Sequence, residues 1–149
     1  MVNGADQFHI GIVVDDLDAT LDELGDLFGY EWCPVFAIKT PVVLPEGEIM
    51  VDLRFVYSKT EPRVEVIRAM PGTPWVPAVG SGIHHAGYWS EDLAVDGSKL
   101  DARGYAEEAR GVLPDGRTIW AYYRNPKGPR IELVSRQLQP GLEQYWASG

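Results

Sequence analysis

Two histidines and two glutamates stand at matching places in a pattern that occurs twice. His9-Ile10-Gly11-Ile12-Val13-Val14-Asp15-Asp16-Leu17 returns as His85-Ala86-Gly87-Tyr88-Trp89-Ser90-Glu91-Asp92-Leu93, 76 residues later. Pro62-Arg63-Val64-Glu65-Val66-Ile67 returns as Pro129-Arg130-Ile131-Glu132-Leu133-Val134, 67 residues later. A repeat with a His on its first strand and a Glu on its last places two imidazoles and two carboxylates at equivalent points of two halves. His9, Glu65, His85 and Glu132 therefore form a candidate metal site. Two neutral imidazoles and two carboxylates balance a 2+ charge with a mixed nitrogen and oxygen set, which suits Mn, Co, Ni, Fe, Zn or Mg. Four protein ligands would fill a tetrahedral zinc. An octahedral ion would keep two positions for neighbouring substrate oxygens and act on them as a Lewis acid.

The elements that must position these residues follow from periodicity. Phe8 to Val14 is a β-branched apolar run and reads as a buried strand, with His9, Gly11 and Val13 on one face. Asp15 or Asp16 caps a helix whose apolar stripe is Leu17, Leu21, Leu24, Leu27 and Phe28, ended by Gly29. Trp32 to Lys39 is a second strand, Thr40 to Glu48 a loop, and Ile49 to Tyr57 and Arg63 to Arg68 two more strands. Residues 69–82, rich in Pro and Gly, are a linker. The order then restarts: strand Ile83 to Trp89, helix Asp92 to Ala102, and strands Tyr105 to Gly111, Arg117 to Tyr123 and Arg130 to Val134. Leu138 to Trp146 is a short amphipathic tail suited to covering an edge or a partner.

The fold class is thus α+β, with two βαβββ modules in tandem. Module 1 covers about residues 6–68 and module 2 residues 83–135, with the tail at 136–149, all in one domain of 149 residues. Helices on one sheet face leave the other face to curve over a central cavity, into which the four candidate ligands point. Trp75, Trp89, Trp120, Tyr122 and Tyr123 could line an aromatic ligand pocket, with Trp89 on the His85 face the first candidate and Trp120 the second. Trp120 shares a strand face with Tyr122, and Tyr123 takes the opposite one. His84 should face the helix side as a structural residue, and Cys33 should be a core residue.

Composition excludes several classes. A formal charge of −9 argues against nucleic acid and against an anionic membrane surface. A local cluster such as Arg124, Lys127 and Arg130 could still meet an anionic group. One cysteine precludes an intramolecular disulfide. No apolar run reaches spanning length and Met1 to Phe8 lacks signal-peptide character, so the expected location is cytoplasmic.

The paired modules resemble the vicinal oxygen chelate superfamily, which includes glyoxalase I, methylmalonyl-CoA epimerase, extradiol dioxygenases and bleomycin-resistance proteins. The resemblance covers Phe8 to Ser135. His9-Ile10-Gly11-Ile12-Val13-Val14-Asp15-Asp16-Leu17-Asp18, Gly82-Ile83-His84-His85-Ala86-Gly87, and Pro126-Lys127 ahead of Ile131-Glu132-Leu133-Val134 are similar to methylmalonyl-CoA epimerases. The resemblance implies a glyoxalase-like curved sheet, His9, Glu65, His85 and Glu132 as metal ligands, and a soluble homodimer acting on a small molecule. It also implies a catalytic acid in the loop before the third strand, where Glu46 and Glu48 both stand. Glu65 replaces the usual epimerase Gln. Bacterial glyoxalase I has the His/Glu/His/Glu set, but Val13 stands where that enzyme has a glutathione-holding Arg.

The chemistry implied is metal-dependent isomerase, epimerase or lyase activity on a carbon beside a carbonyl. Glu132 would be the base, and Glu46 or Glu48 a second acid/base. The alternative is a metal-free protein sequestering an aromatic or polyketide-like compound. An extradiol-type dioxygenase comes third, because such enzymes use two His and one Glu around Fe(II).

Overall fold

In the computed structural model, which describes residues 2–148, strand β1 (Gln7–Val14) buries His9, Gly11 and Val13 on one face. Its other face sends Ile12 and Val14 against Leu17 and Leu21 of helix α1 (Leu17–Phe28). Asp16 caps α1 by accepting from the Ala19 amide, and Gly29, at φ 71°, ends it. The apolar stripe is only half used. The first two turns rest on Ile12, Val14, Val56 and Val66, and the last leaves Leu27 64% and Phe28 71% exposed.

Strand β2 (Phe36–Leu44) and strand β3 (Gly47–Tyr57) form a hairpin with Pro45 and Glu46 at its tip. The expected loop from Thr40 to Glu48 is therefore mostly strand, and Trp32 makes only an isolated bridge to Ser58. Pro41, which suggested a loop, sits where β2 has a single partner: β3 pairs along the whole of β2, but the next strand joins only at Val42 and Val43. Strand β4 (Arg63–Arg68) completes the first half. Between the halves, the Pro- and Gly-rich segment turns Trp75 inward until it is 1% exposed.

The second half repeats the order with β5 (His85–Ser90), α2 (Leu93–Asp101), β6 (Ala106–Val112), β7 (Thr118–Arg124) and β8 (Ile131–Ser135). Helix α3 (Gln139–Ala147) follows. The eight strands close into one barrel in the order β1-β4-β3-β2-β6-β7-β8-β5. Parallel β1/β4 and β5/β8 pairs sit inside their halves, and antiparallel β1/β5 and β2/β6 pairs are the two seams between them. One apolar cluster fills the barrel around Val42, Val51, Ile67 and Trp75. Two others join α1 and α2 to its outside. Period-2 alternation thus sorts each strand into a helix-packing face and a barrel-lining face.

Candidate metal centre

The β1/β5 seam brings the histidines together. In its antiparallel register His9 faces Gly87 and Gly11 faces His85. Each imidazole lies across the other strand's glycine: a Cβ at Gly11 would fall 2.0 Å from His85 Cε1, and one at Gly87 would fall 2.0 Å from His9 Cε1. The paired glycines are the space the rings occupy. The parallel registers then deliver the carboxylates, Glu65 opposite Gly11 and Glu132 opposite Gly87.

All four side chains are buried, and one ligand atom from each lies within 4.8 Å of the others. His9 Nε2 and His85 Nε2 are 3.0 Å apart. His9 Nε2 is 3.4 Å from Glu65 Oε1 and 3.1 Å from Glu132 Oε1. His85 Nε2 is 3.3 Å from Glu65 Oε1 and 3.4 Å from Glu132 Oε1. Donors each about 2.1 Å from a common centre lie roughly 3.0–3.4 Å from their neighbours at octahedral or tetrahedral angles. Both Oε1 atoms are buried without a hydrogen-bond partner. Buried carboxylate oxygens left unpaired are costly, and a cation between them removes that cost. The donor set therefore fits a divalent metal ion.

Behind the two rings the surroundings differ. His84 Nε2 lies 2.7 Å from the Pro74 carbonyl oxygen, which can only accept, so Nε2 carries the proton. Burial lowers the His84 pKa to about 4, so the ring is neutral and its Nδ1 is an acceptor. His85 Nδ1, 2.9 Å away, must then donate to it. That tautomer leaves the His85 Nε2 lone pair aimed at the cluster. The expectation that His84 faces the helix side is corrected: it precedes β5, outside the strand's alternation, and its ring turns to His85. His9 has no such support, since its Nδ1 is buried without a partner.

Without a metal the cluster balances its own charges. Burial favours neutral His9, but Glu132 and Glu65 outweigh it and raise the pKa to about 9. His85 also shifts upward, against burial, because of Glu132 and Glu65. Burial favours a neutral Glu65, yet His85 and His9 hold it down at about 2. Glu132 is lowered for the same reason.

Glu65 and Glu132 open into a cavity of about 340 Å³ that is largely aromatic and aliphatic. Trp120 lines it as expected. Trp89 does not: four residues beyond His85, or about 13 Å along a strand, it stacks on Phe8 at 3.8 Å and lines a separate cavity with His9 and Trp146. Alternation predicts a residue's face but not its depth. Glu46 and Glu48 are not brought to the site. Glu46 is exposed at the β2–β3 tip, and Glu48 shares the exposed outer face of β3 with Met50, Asp52 and Arg54. Arg130 pairs with Glu108 at 2.7 Å.

Tyr57, which sequence reasoning missed, and Tyr122, one of the aromatic residues it offered as pocket lining, line the cavity as cross-strand neighbours of Glu65 and Glu132. They are also equivalents in the repeat, masked because the second turn is two residues longer than the first. Burial raises both phenols well above the usual value, so they stay protonated and can donate. α3 forms part of the cavity wall, with Leu138 just before it and Leu142 and Tyr145 on it, and the Tyr145 hydroxyl donates to the Pro34 carbonyl at 2.6 Å.

Among solved structures, methylmalonyl-CoA epimerase in complex with methylmalonyl-CoA and NH4+ is similar at 19% identity and a TM-score of 0.58, over 87% of this chain and 93% of that one. The methylmalonyl-CoA epimerase of Mycobacterium tuberculosis is similar at 17% identity and 0.58, over 94% and 97%. A hypothetical protein from Bacillus halodurans is similar at 15% identity and 0.56, over 87% and 93%. At these identities the likeness is one of fold. A comparison with curated proteins finds no match. Residues 8–123 match the family described as the glyoxalase/bleomycin resistance protein/dioxygenase superfamily, and the chain belongs to that superfamily.

Proposed function

We propose that the protein is a divalent-metal-dependent isomerase or epimerase that moves a proton on a carbon adjacent to a carbonyl. The observation that carries this reading is the buried, closely spaced quartet of His9, Glu65, His85 and Glu132, whose two carboxylates line a largely apolar cavity. A bound metal would supply Lewis acidity toward the substrate's carbonyl oxygen. The protein's own residues supply the rest. Glu132 is the base; it would be one of the residues holding the metal, and its burial is the influence that raises the proton affinity of its carboxylate. Epimerisation needs a second acid/base on the other side of the carbon. Glu65, the pseudo-symmetric partner of Glu132, takes that role in place of Glu46 and Glu48. Tyr57 and Tyr122, held protonated, orient the substrate by donating hydrogen bonds.

Solvent-deuterium exchange tests this. Protein loaded in turn with Ni, Co, Mn, Zn, Fe or Mg is expected to exchange the proton next to the carbonyl of a hydroxyketone or acyl thioester, followed by NMR. Glu132→Gln should abolish the exchange. No exchange with any of these metals would count against the enzyme reading. A second reading, a metal-free protein that holds an aromatic compound, is supported by the Trp75, Trp120, Phe36 and Phe55 lining. It requires ligand binding that chelators do not change.

A further inference from the structure

The cavity wall carries information about charge. Among the described residues none of the 13 lysines and arginines lines it, and its only ionisable carboxylates are Glu65 and Glu132. The arginines that precede the two ligand-bearing strand positions are used elsewhere: Arg63 donates to the Ser58 and Lys59 carbonyls and Arg130 pairs with Glu108. Away from the metal position an anionic group in this space would have no counter-charge, and its desolvation would go uncompensated. The opening adds a second constraint. Leu142 and Tyr145 of α3 form one wall, which the Tyr145 hydroxyl ties to Pro34 at the approach to β2, and the solvent-exposed lining side chains are the apolar Phe36 and Ile38. A long nucleotide-bearing tail leaving past them would meet no lysine or arginine of the wall. The aromatic walls add a third. Trp75 and Trp120 meet edge to face at 5.8 Å, and Phe36 stacks on Phe55 at 4.8 Å, and both pairs present aromatic surface to the cavity for an apolar body.

From these observations we infer that the cavity takes a compact, uncharged molecule with an aromatic or branched apolar body and two adjacent oxygens, not an acyl thioester of a nucleotide cofactor. The two adjacent oxygens rest on the metal reading above; the neutral, apolar body does not.

Three probes separate the parts: mandelamide, mandelamide carrying a carboxylate on the far side of its ring, and acetyl-CoA. Binding is followed by quenching of Trp75 and Trp120 fluorescence and by calorimetry, on metal-loaded and on chelator-treated protein. Mandelamide is expected to bind at least about tenfold more tightly than its ring-carboxylated form, and acetyl-CoA to cause no quenching. Ile38→Arg, at a cavity position already 42% exposed, should narrow that ratio by supplying the missing cation. Equal binding of the charged and neutral probes, tight binding of acetyl-CoA, or no binding of mandelamide would overturn the inference. Charge selectivity that persists without metal upholds the neutral, apolar body, and a mandelamide affinity that the chelator leaves unchanged would sink the chelation reading alone, so the two fail separately.

Discussion

The two halves of the barrel present the same chemical group to the same point, yet they hold it differently. His85 is the middle of a chain that runs from the Pro74 carbonyl through His84 to the cluster. In the first half the residue before the histidine is Phe8, whose ring stacks on Trp89 and meets His9 edge-on at 4.5 Å. A hydrogen bond fixes one imidazole and packing fixes the other. The difference teaches that repetition preserved what touches the metal position and left free what stands behind it. The arginines follow the same rule. Arg130 pairs with the half-buried Glu108 at 2.7 Å, while Arg63 reaches only the exposed Glu61, at 3.4 Å, and lies over the Trp146 ring at 4.2 Å.

The largest effect should be common to both halves. Gly11→Ala and Gly87→Ala each drive a methyl into the opposite imidazole, and each should cost about 3 kcal/mol or more and abolish metal binding, read by denaturant melts and calorimetry. If only one does so, the halves are less equivalent at the glycines than the registers imply. Next comes the asymmetry itself. His84→Ala should weaken metal binding by about 10–100-fold, the usual cost of removing a hydrogen-bond partner behind a ligand. Phe8→Ala should cost up to about 3 kcal/mol of stability through lost stacking and change metal affinity far less. Equal metal losses in both variants would erase the distinction.

A pH series on chelator-treated protein tests the charge balance of the shared cluster. His9, raised to about 9, contributes fully below its unfolded pKa near 6.5 and loses that contribution as the pH rises through about 9. Glu65, lowered to about 2, contributes above its unfolded value of 4.5 and loses it as the pH falls through about 2. The cluster's contribution is therefore complete between those unfolded values, and Tm should fall by several degrees as the pH passes from 7 to 9. With metal bound the imidazoles must be neutral, so the upper decline should vanish and metal uptake at pH 7 should release protons. The smallest effect is a control. Gly25, inside α1, has no close obstruction to a Cβ, the nearest atom being the Tyr30 carbonyl oxygen at 3.5 Å. Gly25→Ala should raise stability by about 0.5–1 kcal/mol.

The repeat, the strand faces of β1, β4, β5 and β8, a helix cap at Asp15 or Asp16 and the four candidate ligands were legible in the chain, because each rests on local periodicity or on residue type. The length of β2 was not. Pro41 and Pro45 read as loop until it is known that β2 has only one neighbour beside Pro41. Glu46 and Glu48 were placed by analogy of position, and the outward phase of β3 removes them.

The sequence by itself determined which side chains share a face. Tertiary structure alone decided which faces meet, because seam register and depth along a strand depend on pairings between residues far apart in the chain. That is why the structure separated Trp89 from the cavity, brought Tyr57 and Tyr122 to it, and turned His84 toward His85. It also gave Gly11 and Gly87 their purpose, since a missing Cβ acquires meaning only when another strand's imidazole is laid across it.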